Sequence, residues 1–183
     1  STFDAPTTTM GSHVRITNDV ALTLKTSFTN DGDLFLNDNG SGDTTALIID
    51  GTVAYASSGT INASNTFNNQ IRGGDGSALL NNAMTLSVDS GRVQIQDLAI
   101  NNSGALQADN GATLRFINAT IDNMDGVIGT HNVAVTQLGS GVWVSEGEVS
   151  TSLGGVVEIA GSTTFDAVEI TTGSNLRIAN DQA

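Results

Sequence analysis

The side chains able to do chemistry in this chain are mostly carboxylates, and they come in small groups. Glu146 and Glu148 flank Gly147, and Asp122 and Asp125 flank a turn. Two carboxyls are the minimal equipment of a glycoside hydrolase, one to protonate the leaving oxygen and one to serve as base or nucleophile. Neither pair comes with an aromatic platform for a sugar ring, so both are read as solvated turn acids. Asp31, Asp33, Asp38 and Asp43 crowd a short segment with Asn37 and Asn39. An oxygen-rich stretch of that kind suits Ca²⁺, which makes these four aspartates the candidate metal ligands. Their spacing departs from an EF-hand loop, and Gly73-Gly74-Asp75-Gly76 is a single fragment of the calcium-binding nonapeptide without its repeats. An ordinary surface loop is the competing reading. His13 and His131 lie far apart without triad company, which assigns them neither a metal nor a nucleophile. The five arginines, at 15, 72, 92, 115 and 177, and Lys25 are spread along the chain, so no basic site is expected. No catalytic residues and no cofactor other than possible Ca²⁺ follow from this inventory.

Composition narrows the classes further. Nineteen acidic against six basic residues give a net charge of −13, which repels phosphate backbones and excludes an ordinary nucleic-acid binder. Without cysteine the chain is neither a disulfide scaffold nor a thiolate zinc protein. It is 38% hydrophobic and only 14% charged, a balance that permits a buried core rather than disorder. Thr, Asn, Ser, Gly, Val and Ile dominate over the usual helix formers, and this favours strands separated by turns. No apolar run approaches the roughly 20 residues of a membrane helix.

A repeated phrase organises the strands. An apolar residue, a short Asn/Asp/Ser run, a glycine and another apolar pair recur as Phe28-Thr-Asn-Asp-Gly32-Asp-Leu34, Ile100-Asn-Asn-Ser-Gly104-Ala-Leu106 and Ile121-Asp-Asn-Met-Asp-Gly126-Val-Ile128. The apolar openers fall at 28, 55, 80, 100, 121 and 144; the closers are Leu86, Leu106, Ile128, Val149 and Ile170. A third series pairs Val93 with Ile95, Leu114 with Phe116, Val133 with Val135, Val157 with Ile159, and Leu176 with Ile178. All three share a period near 21. Three short alternating strands per period predict an all-β, three-sided β-solenoid, specifically a single-stranded right-handed parallel β-helix of about 21 residues per coil. At about 4.8 Å per coil, eight coils would make a rod near 40 Å long. The corner glycines and asparagines are expected to supply left-handed backbone, and Trp143 to fill a core or corner position. If Val157, Ile159, Leu176 and Ile178 point inward, Glu158 and Arg177 must meet on the outside of adjacent coils, because a slip of one residue would bury both.

The period is clean over residues 76–183 and irregular over 14–75, together one solenoid domain. Residues 1–13 match no series and are read as an N-terminal tail or docking arm.

Phrases such as Asn65-Thr-Phe-Asn-Asn-Gln-Ile-Arg-Gly-Gly74 and Ile170-Thr-Thr-Gly-Ser-Asn-Leu-Arg-Ile178 resemble the repeats of large bacterial surface and secreted proteins. These include autotransporter passengers and haemagglutinin-like adhesins. The resemblance implies an extracellular, cell-surface structural rod, a segment of an adhesin, surface layer or self-assembling filament without catalysis. Its partners would be further copies of itself, or the rest of a longer chain, joined through the solenoid ends, with a glycan or host-surface ligand also possible. No nucleic acid and no membrane span are expected. The alternative is a polysaccharide-binding or polysaccharide-degrading β-helix of the tailspike or lyase type.

Overall fold

The computed structural model describes residues 1–37, 44–57 and 59–179, and among them every regular element is a strand. In chain order the first coils comprise β1 (Thr2–Phe3), β2 (Thr7–Thr8) and β3 (His13–Thr17), then β4 (Ala21–Leu24), β5 (Ser27–Asn30) and β6 (Asp33–Asn37). Next come β7 (Thr45–Ile49), β8 (Thr52–Ser57) and β9 (Thr60–Ala63), followed by β10 (Asn69–Gly73), β11 (Leu79–Asn82) and β12 (Thr85–Ser90). Two long strands then turn a corner without a break, β13 (Arg92–Asn102) before β14 (Ala105–Ala108), and β15 (Thr113–Asp122) before β16 (Val127–Thr130). The last coils hold β17 (Val135–Leu138), β18 (Val142–Ser145) and β19 (Glu148–Thr151), then β20 (Val156–Ile159), β21 (Thr163–Asp166), β22 (Glu169–Ile170) and β23 (Leu176–Ile178).

Every pairing is parallel and joins one coil to the next, so the chain is a parallel β-solenoid of about 8 turns with strands stacked about 21 residues apart. Face one carries β1, β4, β7, β10, the first half of β13, the first half of β15, β17, β20 and β23. Face two carries β2, β5, β8, β11, the second halves of β13 and β15, β18 and β21. Face three is a separate eight-stranded sheet from β3 to β22. Because β13 and β15 span both, faces one and two merge into a single fifteen-stranded sheet.

Alternation explains the core. In β4, β5 and β6 every second residue is buried, as period-2 strands with one face inward require. The inward residues stack into rows, one of them Leu22, Leu47, Ile71, Ile95, Phe116 and Leu138, all buried. Each such side chain contributes about 1.5–3 kcal/mol by leaving water.

The closing row of the repeat is found in full, Leu86 on Leu106 on Ile128 on Val149 on Ile170. The opening row slips once. Phe28 stacks on Tyr55, but Tyr55 meets Asn82, and Leu80 lies instead on Val53. The third series also slips once: Leu114 and Phe116 continue to Thr136 and Leu138, not to Val133 and Val135. Val133 holds a positive φ of 57° in the preceding corner and is 71% exposed, an uncommon position for a β-branched residue. From Thr136 the row resumes through Val157 to Leu176, and the expected Glu158–Arg177 pair is present on the outside. Glu158 also accepts a hydrogen bond from Gln137 Nε2 at 3.0 Å. Within residues 1–13, β1 pairs with β4 and β2 with β5. Strands of two residues are too short to register as a period.

Left-handed backbone is supplied at the corners by Gly51, Gly91, Gly111 and Gly141 and by Asn110, Asn118 and Asn132, but most glycines of the repeated phrase have another reason. Of those in the repeated phrase, Gly147 has a positive φ, whereas Gly32, Gly104 and Gly126 do not. A Cβ on Gly104 would lie 1.9 Å from the Met84 carbonyl oxygen of the coil before it, and one on Gly126 would lie 2.3 Å from that of Asn102. Close approach of successive backbones, not left-handed geometry, demands glycine at these two positions. Just beside them, Asn82, Asn102 and Asn123 turn inward and form a buried amide ladder. Asn82 Nδ2 donates to Asn102 Oδ1 at 2.7 Å and Asn102 Nδ2 to Asn123 Oδ1 at 2.6 Å. The same amides also cap corner carbonyls, with Asn82 donating to Met84 and Ala105, and Asn123 to Gly126 and Glu148. Buried polar groups are tolerated when they are hydrogen-bonded in this way, and in this ladder the Asn82 Oδ1 at its end is the atom without a partner.

Candidate binding surfaces

Of the four candidate calcium ligands, Asp31 and Asp33 lie among the described residues. Asp38 and Asp43 lie outside the described residues. Asp33 points outward from β6 on face three, where one carboxylate oxygen is 3.1 Å from His13 Nδ1 and the other accepts from Thr60 Oγ1 at 2.9 Å. Asp31 sits at the exposed corner just before it. Among the described residues, no three acidic or histidine side chains are grouped to hold a metal ion.

The two carboxylate pairs are brought toward one edge of the solenoid, the corner between faces two and three. Asp125, Glu146, Glu148 and Glu169 line one depression there with Met124 and Ala167. Asp125, Glu146 and Ala167 adopt positive φ values of 61°, 59° and 54° at equivalent turns of successive coils, so the acids lie where the chain must bend. Glu148 stacks directly on Glu169 in the ladder, and its carboxylate accepts a hydrogen bond from Thr171. Asp122 faces a neighbouring shallow groove on face two with Asn81, Asn101, Ser103 and Met124. There Asn101 Nδ2 donates to Asn81 Oδ1 at 3.0 Å, an exposed counterpart of the buried ladder.

Trp143 is the residue whose place sequence reasoning misjudged. It is 48% exposed, projecting from face two between Thr120 and Thr164 of the adjacent coils. Its inward neighbours Val142 and Val144 are buried, so alternation along β18 fixes its outward direction. The next outward row beside it runs Asn101, Asp122, Ser145 and Asp166. A flat apolar ring beside a file of amide, hydroxyl and carboxylate groups matches what a saccharide offers, one apolar ring face and a rim of hydroxyls.

The basic residues divide into two sets. Lys25 Nζ is 2.9 Å from Asp50, which holds the lysine above its ordinary pKa through a hydrogen bond and the nearby negative charge. Arg15 lies over Phe35 and Arg177 against Glu158. Arg92 and Arg115 both lie over Phe67, a ring delivered by the turn that precedes β10. The signal for this last grouping was present in the sequence only as three residues at unrelated distances.

Compared with family profiles, curated proteins and solved structures, the chain matches none at a significant level.

Proposed function

We propose that the chain is an extracellular structural β-solenoid, a rod segment of a bacterial surface adhesin, surface layer or filament, without catalysis. The supporting observation is the continuity of the inward rows through about 8 turns. Val149 is fully buried beneath Ile170, whereas Ile170 is 46% exposed, and Ile178 on face one is 78% exposed. One more coil in the same register would cover both, whether it came from a longer chain or from a second copy. Parallel strand edges with unpaired backbone groups invite such addition, and a head-to-tail contact of this kind propagates. Electron microscopy with sedimentation velocity tests the idea. The expected result is rods in multiples of about 40 Å, shortened to single units by Ile170→Glu/Ile178→Glu. Compact single particles that cleave a polysaccharide would overturn it.

Trp143 supports a second reading, polysaccharide binding along face two. Trp143→Ala is then expected to weaken retention on a neutral polysaccharide by at least about tenfold in affinity electrophoresis, a loss typical of one stacked aromatic. Unchanged retention would remove this reading.

A further inference from the structure

In a chain with 19 carboxylates, a guanidinium group without an acidic partner is informative. Arg72, Arg92 and Arg115 stand on β10, β13 and β15, three successive coils of face one, and none of them forms an ion pair with a described carboxylate. Arg92 and Arg115 converge on a single ring, their guanidinium carbons 5.2 Å and 5.1 Å from the centre of Phe67. The Arg115 Nε is buried and finds no hydrogen-bond partner. The outward positions Gln70, Gln96 and Thr113 are uncharged, and the exposed Asp97 after Gln96 accepts hydrogen bonds from Gln96 and Asn118 rather than pairing with an arginine. The fold therefore holds the Arg92 and Arg115 guanidinium groups together against one aromatic ring of a strongly negative molecule, with Arg72 further along the same face, and pairs none of the three with a described carboxylate.

We propose that this patch binds the oxyanion of an acidic saccharide, a carboxylate or sulfate carried on a sugar ring. A guanidinium presents a planar fork that grips such a group with two parallel hydrogen bonds, and stacking on Phe67 removes much of the ordering cost beforehand. The amide and hydroxyl groups on the same strands supply partners for sugar hydroxyls. Charge density selects against nucleic acid: a duplex brings one phosphate about every 1.7 Å, which this acidic chain repels, whereas two or three arginines over strands about 4.8 Å apart suit one charge per sugar unit. The patch lies on a different face from Trp143 and does not depend on how the solenoid ends are used.

Calorimetric titration of the intact chain with a uronate oligosaccharide, its methyl ester and a sulfated oligosaccharide tests the proposal. The expected result is saturable binding of the uronate, the sulfated sugar or both, with none for the ester. Arg92 is exposed, so Arg92→Gln leaves the fold intact; it should weaken binding about tenfold, the equivalent of one charge-assisted hydrogen bond, and Arg92→Gln/Arg115→Gln should abolish it. Trp143→Ala should leave it unchanged, which separates this site from the face-two reading. Failure of both acidic sugars to bind, undiminished binding by the double variant, or equal binding of a single-stranded oligonucleotide would overturn it.

Discussion

Asn102→Leu is expected to lower the free energy of unfolding by about 3 kcal/mol, although it exchanges a buried side chain for an apolar one of similar size. Asn102 sits in the middle of the amide ladder, 1% exposed, accepting from Asn82 and donating to Asn123. Leucine would leave the Asn123 Oδ1 without that donor, and the Gly104 and Val127 backbone carbonyls without the longer contacts at 3.3 Å and 3.4 Å. Deleting one partner of a buried hydrogen bond costs the desolvation of the group left behind, and here several are stranded at once. The neighbouring Asn101 is the internal control. It donates to Asn81 on the outside, in the opposite sense to the buried ladder, where water replaces any lost contact, so Asn101→Ala should stay within about 0.5 kcal/mol of the parent. Urea unfolding followed by circular dichroism measures both, and equal midpoints for the two variants would contradict the role given to the inward row.

Gly104→Ala is expected to be at least as damaging, about 3 kcal/mol or more, for a steric reason. The added methyl would lie 1.9 Å from the Met84 oxygen and 2.7 Å from that residue's carbonyl carbon and nitrogen. Backbone cannot rotate aside as a side chain can, so two coils would have to part at the corner where Ala105 N donates to that same oxygen at 2.8 Å. Gly111→Ala provides the contrast. Gly111 has a φ of +77° with nothing near its missing Cβ, so only backbone strain is charged, about 1 kcal/mol. A thermal melt in which Gly111→Ala proves the more harmful would show that left-handed backbone, and not the approach of successive coils, governs the corners.

The contrast between these glycines marks where sequence reading works and where it stops. Spacing reports which residues share a row, and the row from Leu86 to Ile170 was legible because each member is aliphatic and each step close to the period. Where the inward residue is polar the row disappears from view. Asn82 occupies the place next to Tyr55, and Thr136 the place next to Leu114, so apolar matching leapt to Leu80 and to Val133. The Glu158–Arg177 contact was readable because charge and alternation both constrained it. The Phe67 cluster was not, since Arg92 and Arg115 are offset in register on adjacent strands and the ring arrives from a turn one coil earlier. Trp143 was misplaced for a simpler cause: bulk suggested the interior, whereas its buried valine neighbours on either side leave it only the outside.

The direction of the backbone hydrogen bonds has a mechanical meaning. They link coil to coil, as when Thr113 N donates to Gly91 O and Val135 N to Ala112 O, and so lie nearly along the line of stacking. Tension applied along that line would load one interface after another, in series, and the stack would yield at its weakest junction instead of sharing the load among all of them. Junctions crossed by the Asn82, Asn102 and Asn123 side chains carry extra ties in the same direction, which places the most tear-resistant stretch in the middle of the solenoid.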